Sequence, residues 1–126
     1  MTHTINYNPE DRIIEIRVQG DLSLNEVKEI ISESRQIAKD QDCYLVLNDM
    51  RQAIWKLSVV EVYEIPNILK ELLSQTGLHA HKYKRAFVVT DDQKNYNFFE
   101  TVSANRGQTA KLFFDIDEAR KWLLED

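Results

Sequence analysis

Three four-residue stretches, Tyr44-Leu45-Val46-Leu47, Ala86-Phe87-Val88-Val89 and Lys111-Leu112-Phe113-Phe114, alternate along this chain with longer segments of helical periodicity. Each is too short for a helix, and the first two are apolar throughout, as strands covered on both faces of a parallel sheet are. Strands alternating with helices in this way form right-handed crossovers, with the helices laid over the sheet.

The helical segments announce their own starts. Ser23-Leu24-Asn25-Glu26 and Ser58-Val59-Val60-Glu61 both have the spacing of a capping box, flanked by the staple pairs Leu22/Val27 and Leu57/Val62. The first helix is expected from Ser23 to about Lys39, with Leu24, Val27, Ile30, Ile31, Ile37 and Ala38 on its buried stripe. The second buries Val62, Ile65, Leu69, Leu72 and Leu73 and stops at Gly77; Pro66 inside it removes a backbone hydrogen bond and favours a kink or restart. Thr90-Asp91-Asp92 offers caps for a third helix carrying Tyr96, Phe98, Phe99 and Val102, which Gly107 would close in a left-handed conformation. Asp115-Ile116-Asp117-Glu118 opens a fourth, burying Ile116, Ala119, Trp122 and Leu123.

Ahead of all these, Ile5 and Tyr7 alternate with polar residues, Asn8-Pro9-Glu10-Asp11 has turn chemistry, and Ile14, Ile16 and Val18 resume the alternation until Gly20-Asp21 breaks it. The expectation is one α/β domain over residues 1–126. Its sheet has five strands, mostly parallel, with four main helices and an antiparallel N-terminal edge strand. Glu15, Arg17 and Gln19 then fall on a wet face of that sheet.

The formal charge of −5 lacks the positive field that nucleic acid or an anionic membrane surface requires. The basic, aromatic-containing stretch from His79 to Arg85 is the local exception, and a solvated loop leading into a strand explains it. No apolar run approaches the ~20 residues of a membrane span, and Met1-Thr2-His3-Thr4 has no signal-peptide character, so a cytoplasmic location is expected. A single cysteine, Cys43, reads as a half-buried thiol.

Ligands of parallel sheets bind beyond the C-terminal strand ends, here Gly20-Asp21, Asn48-Asp49-Met50-Arg51, Thr90-Asp91-Asp92 and Asp115. Carboxylates gathered there could hold Mg²⁺ or act as an acid/base pair, but Asp21, Asp91, Asp92 and Asp115 also stand where helix N-termini attract caps. A receiver domain is similar in having an aspartate like Asp49 and a hydroxyl like Thr90. It also needs a paired acid and a lysine where this chain has Gly20-Asp21 and Asp115. His79 and His81 share a side only in an extended segment, and two ligands alone do not make a zinc site. No nucleophile elbow, phosphate-binding loop, dinucleotide fingerprint or C-x-x-C pair is present. The segment Arg51 to Leu57 reads as a loop carrying Ile54, Trp55 and Leu57, which either cover the core or line an apolar groove completed by Tyr63, Tyr96 and Phe98.

The run Phe98-Phe99-Glu100-Thr101-Val102-Ser103-Ala104-Asn105-Arg106-Gly107, followed by Leu112-Phe113, Asp117-Glu118-Ala119 and Trp122-Leu123, resembles the SpoIIAA-like proteins of the STAS/SEC14 superfamily. The resemblance implies a STAS-type fold whose relatives are anti-anti-sigma factors, regulatory domains of transporters, or proposed carriers of small hydrophobic molecules. In the sigma-regulating branch a phosphorylatable serine follows the aspartate after the central strand; Met50 occupies that place here. Carrier-type relatives bind between the sheet edge and a mobile helix, which corresponds to Asn48 to Ile65 in this chain.

Three functions follow as expectations. The first is a non-enzymatic regulatory domain that binds a protein partner or itself. The second is a carrier or sensor of a small hydrophobic, lipid-like ligand, and the third a metal-assisted hydrolase or phosphotransferase using Asp49 and Asp91. For the first two the binding residues are Asp49, Met50, Arg51, Ile54, Trp55, Tyr63, Thr90, Asp92 and Phe98, with no catalytic residue, metal or cofactor assigned.

Overall fold

A computed structural model of the chain describes residues 3–90, 100, 103–104 and 107–125. Strand β1 (His3–Asn8) turns back into β2 (Ile13–Leu22) through a loop that Asn8 ties together. Its side-chain oxygen accepts from the amides of Glu10 and Asp11, and its carbonyl accepts from that of Arg12, which takes the left-handed conformation at φ 58°. The two strands pair antiparallel, as the alternation predicts.

Helix α1 (Leu24–Gln41) starts where Ser23 accepts from the amide of Glu26. Strand β3 (Leu45–Trp55) lies parallel to β2, and helix α2 (Val59–Ser74) then begins with a complete capping box between Ser58 and Glu61. Pro66 does not make the helix begin again: α2 is continuous through it, with Pro66 on the buried side. A 3-10 turn (Ala80–Lys82) leads into β4 (Lys84–Val88), then β5 (Thr109–Phe113) and helix α3 (Ile116–Leu123), capped by the Asp115 side chain.

The sheet order is β1-β2-β3-β4-β5, with every pair after the first parallel. Right-handed crossovers between consecutive parallel neighbours put their helices on one face, so α1 and α2 share a side of the sheet. The larger core lies there, joining Ile14, Ile16, Val18, Ile30, Val62, Leu69 and Leu73. A smaller one on the opposite face gathers Ile13, Leu47, Ala86, Val88, Ala119 and Leu123 under α3. Arg120 of α3 reaches across to Asp11 and Glu15 at 2.7 Å each, pinning the helix to the hairpin.

Three features depart from expectation. Gly20-Asp21 does not end β2: Gly20 takes φ 80°, and the strand continues to Leu22. The stretch Arg51 to Trp55 is strand rather than loop, because β2 and β3 continue to pair from Gln19↔Gln52 to Leu22↔Trp55. Three helices are described rather than four, since most of the segment expected to form the helix between β4 and β5, with Asp91, Asp92, Tyr96, Phe98, Phe99 and Val102, lies outside the described residues. Among the described residues no helix is long and apolar enough to cross a membrane.

Candidate functional site

Side chains alternate along a strand, so β3 presents Val46, Asn48 and Met50 to the α1/α2 side and Leu47, Asp49 and Arg51 to the α3 side. Strict alternation would then send Trp55 to the face of Asp49. It does not, because the pairing passes from Arg17↔Asp49 to Gln19↔Gln52, two residues of β2 facing three of β3. This bulge in β3 shifts the alternation by one residue and brings Ala53 and Trp55 back to the face of Met50. Ile54 is left pointing outward, 53% exposed.

The consequence is a cavity of about 70 Å³ inside the α1/α2 side of the domain. Its floor is the sheet, through Ile16, Val46, Asn48, Met50, Arg85 and Phe87; its walls are Val27, Ile30, Ile31 and Ser34 of α1 and Ile65, Leu69 and Leu73 of α2. Trp55 and Leu57 close the end where β3 passes into α2, and Tyr83 lies beside the start of β4. The lining is almost wholly apolar, with a few polar groups set into it, as small-molecule sites generally are.

Arg85 is the most consequential of those polar groups. It occupies the α1/α2 face of β4 opposite Val46, between Tyr83 and Phe87 in the two-residue alternation. Its Nη2 donates to Gln108 Oε1 at 3.2 Å, and its guanidinium carbon lies 5.6 Å from the Phe87 ring centre. Gln108 in turn donates from Nε2 to the Pro66 carbonyl at 2.8 Å, tying the arginine to α2. Burial lowers the Arg85 pKa to about 10, with Tyr83 pulling the other way, so the group is still a cation at neutral pH. Tyr83 is also buried; burial raises its phenol above the usual range, and its hydroxyl has no hydrogen-bond partner among the described residues. Its ring meets Tyr44 edge-on at 5.0 Å.

On the opposite face Arg51 grips the Asp49 carboxylate at both oxygens, Nε to Oδ1 at 2.9 Å and Nη2 to Oδ2 at 2.8 Å, while Arg17 Nε lies 3.9 Å away. The Arg51 side-chain hydrogen bond, opposed by burial, holds the Asp49 pKa below its ordinary value. Asp49 is thus an ion-pair acceptor on the wet face that Glu15 and Arg17 share. It lies within β3 rather than at a strand end.

The structure therefore divides the residues expected to form one site. Met50 and Trp55 line the cavity, Asp49 and Arg51 pair on the other face, and Ile54 and Tyr63 face outward, Tyr63 because the inward stripe of α2 runs through Val62, Ile65, Leu69 and Leu73. Thr90 follows β4 half-buried; Asp92 and Phe98 lie outside the described residues. His79 and His81 stand with ring centres 5.5 Å apart, and among the described residues no group of three or more His, Cys, Asp or Glu gathers around a point. Cys43 is buried, its thiol directed at the Arg12 carbonyl at 3.1 Å.

Arg85 and Tyr83 were not expected at the site, whereas Asn48, which opens the stretch expected to bind, does line the cavity. The signal was present: Tyr83, Arg85 and Phe87 alternate, which carries them to one face once the strand starts at Lys84 instead of Ala86.

The chain matches the family model described as SpoIIAA-like over residues 13–124. It is also similar to a solved structure, an uncharacterized protein of the DUF3478 family with a SpoIIAA-like fold from Shewanella loihica PV-4. That similarity has a TM-score of 0.59 and 18% identity, covering 97% of this chain and 92% of that one. No curated protein matches the sequence.

Proposed function

We propose that this chain, which belongs to the SpoIIAA-like family, is a non-enzymatic binding domain whose cavity under α1 and α2 takes a small, largely apolar molecule, making it a carrier or sensor. One observation carries the reading: the cavity interrupts the core where close packing is the rule, and Ser34, Asn48, Tyr83 and Arg85 are set into its largely apolar lining. Leaving such a space open in a core costs stability. The ion pair that occupies Asp49 supports the non-enzymatic part, since a carboxylate held below its ordinary pKa by Arg51 is a poor proton acceptor.

Trp55 reports on the cavity directly. Ligand retained through gentle purification should appear in native mass spectra, and small apolar acids, amides and alcohols should change the fluorescence of the wild-type chain but not of Trp55→Phe. Trp122, packed against Phe113 on the other face, serves as the internal control. A chain that retains nothing and responds to none of these compounds is not such a binder.

A second reading, a regulatory domain that binds a protein partner, is favoured by a different observation. Ile54, Val59, Val60 and Tyr63 cluster in sequence at the junction of β3 and α2 and are 53%, 61%, 66% and 48% exposed. Apolar side chains concentrated on one exposed segment mark interaction surfaces. Sedimentation of the wild type and Val60→Asp across a concentration series tests self-association there; identical monomeric behaviour of both removes that form of the reading.

A further inference from the structure

We infer that the occupant of the cavity is a small alcohol, its hydroxyl hydrogen accepted by the side-chain oxygen of Asn48 and its hydrocarbon packed against the apolar walls. The inference rests on the ligand-binding reading and adds the chemical class.

Asn48 is 5% exposed and borders the cavity from the middle strand of the floor, paired in register with Ile16 on one side and Phe87 on the other. Its neighbours on that face of β3 are Val46 and Met50, so an amide stands where an aliphatic side chain is the rule. Nδ2 donates to the Ala86 carbonyl at 3.2 Å, while among the described residues no group donates to Oδ1. A buried acceptor in that state is costly, and a donor on the cavity side relieves it. The other polar groups of the lining do not serve. Ser34 commits its hydroxyl hydrogen to the Ile31 carbonyl of its own helix at 3.2 Å. Tyr83 stands four residues before Phe87, roughly 13 Å from the level of Asn48 along the strand.

A ligand that donates meets this need. A ketone, an ether or a carboxylate carries acceptors only and sets lone pair against lone pair at Oδ1. An ammonium donates, but taking its charge out of water costs far more than one hydrogen bond returns. A hydroxyl is the smallest uncharged group that donates, and its own oxygen accepts the second Nδ2 hydrogen of the same amide. Size sets the rest of the assignment. An apolar cavity of about 150 Å³ accepts benzene, so about half that volume holds roughly three or four non-hydrogen atoms. The 70 Å³ present here therefore leaves room for a hydroxyl on a short hydrocarbon and not for a long chain.

NMR titration of the isotope-labelled full chain at pH 7 with propan-2-ol, its acceptor-only isostere acetone, acetamide and octan-1-ol tests each part. Propan-2-ol is expected to bind about fivefold to tenfold more tightly than acetone, and to shift the side-chain amide resonance of Asn48 as it saturates. Acetamide and octan-1-ol should bind more weakly than propan-2-ol. Asn48→Leu should remove the preference, bringing propan-2-ol to within about twofold of acetone, whereas Tyr83→Phe, which deletes only a distant hydroxyl, should keep it. If Asn48→Leu does not fold, the wild-type ratio and the Asn48 amide shift decide the matter. Equal binding of propan-2-ol and acetone to the wild type overturns the hydroxyl assignment and leaves the binding-domain reading standing. A preference lost in Tyr83→Phe overturns the placement at Asn48, and tighter binding of acetamide or of octan-1-ol overturns the alcohol class or the size limit. No binding of any of the four makes water the partner of Asn48 and overturns the inference, while the Trp55 response to acids and amides still judges the parent reading separately.

Discussion

Arg51 holds both oxygens of Asp49 across a single strand alternation, at 2.9 and 2.8 Å, on the face of the sheet away from the cavity. The two are neighbours because residues i and i+2 of a strand point the same way. Asp49 is 8% exposed, so its charge depends on that partner. Arg51→Ala should destabilise the domain at pH 7 by about 1–2 kcal/mol, the cost of a buried carboxylate deprived of its main donor. The sign of the pH dependence follows from the depressed pKa: the pair contributes fully above the unfolded-state pKa near 4 and is lost as pH falls through the lower folded value. Denaturant melts of wild type and variant should therefore differ at pH 7 and converge toward pH 3. A constant difference across that range removes this account.

His3 titrates with the opposite sign. Its Nδ1 lies 2.7 Å from Glu26 Oε2 and its Nε2 2.6 Å from Glu33 Oε2, which fastens β1 to α1. Burial opposes the charged ring, yet the hydrogen bonds and charges of both glutamates outweigh it, and the pKa is raised above 6.5. Stability from this clamp is full below the unfolded pKa and disappears as pH rises through the folded value. Glu33 is well exposed, so the contribution stays below about 1 kcal/mol and falls with salt. Amide exchange of β1 should quicken relative to β3 between pH 6 and 9, beyond the intrinsic rate, and His3→Gln should lose that dependence. An NMR titration placing His3 at or below 6.5 would contradict it.

Ser58 begins α2 with both bonds of a capping box, its hydroxyl accepting from the Glu61 amide at 3.1 Å and its own amide donating to the Glu61 carboxylate at 2.8 Å. Ser58→Ala should cost about 1 kcal/mol, and Ser58→Gly less, because glycine is tolerated at that position. Chemical denaturation reads the difference. A larger loss for glycine than for alanine would mean that the cap is not what the serine supplies.

Local chemistry of this kind is what the sequence displays well. The hairpin turn at Asn8, the caps at Ser23, Ser58 and Asp115, and the buried strands all depend on residues within a few positions of one another. The candidate site was harder to read because it is set by register. Nothing near Gln52 marks a bulge, yet that one extra residue decides whether Trp55 joins Met50 in the cavity or Asp49 on the wet face. Arg85 was hidden for a related reason: a cation at the end of the basic stretch from His79 reads as solvated until pairing with Val46 carries it indoors.

Gln108 then offers a test of how Arg85 is kept there. It accepts from Arg85 and donates to the Pro66 carbonyl, so one amide satisfies groups on β4 and α2 at once. Gln108→Leu removes both bonds within a buried region and should cost about 2–4 kcal/mol. Gln108→Glu acts differently. It keeps the shape and the acceptor for Arg85, but places a carboxylate against the guanidinium and loses the donor to Pro66. The variant should be more stable than Gln108→Leu because its charge is paired. Chemical denaturation of the two variants at pH 7 reads that order. A Gln108→Glu chain no more stable than Gln108→Leu would mean that the contact with Arg85 is not what the glutamine supplies.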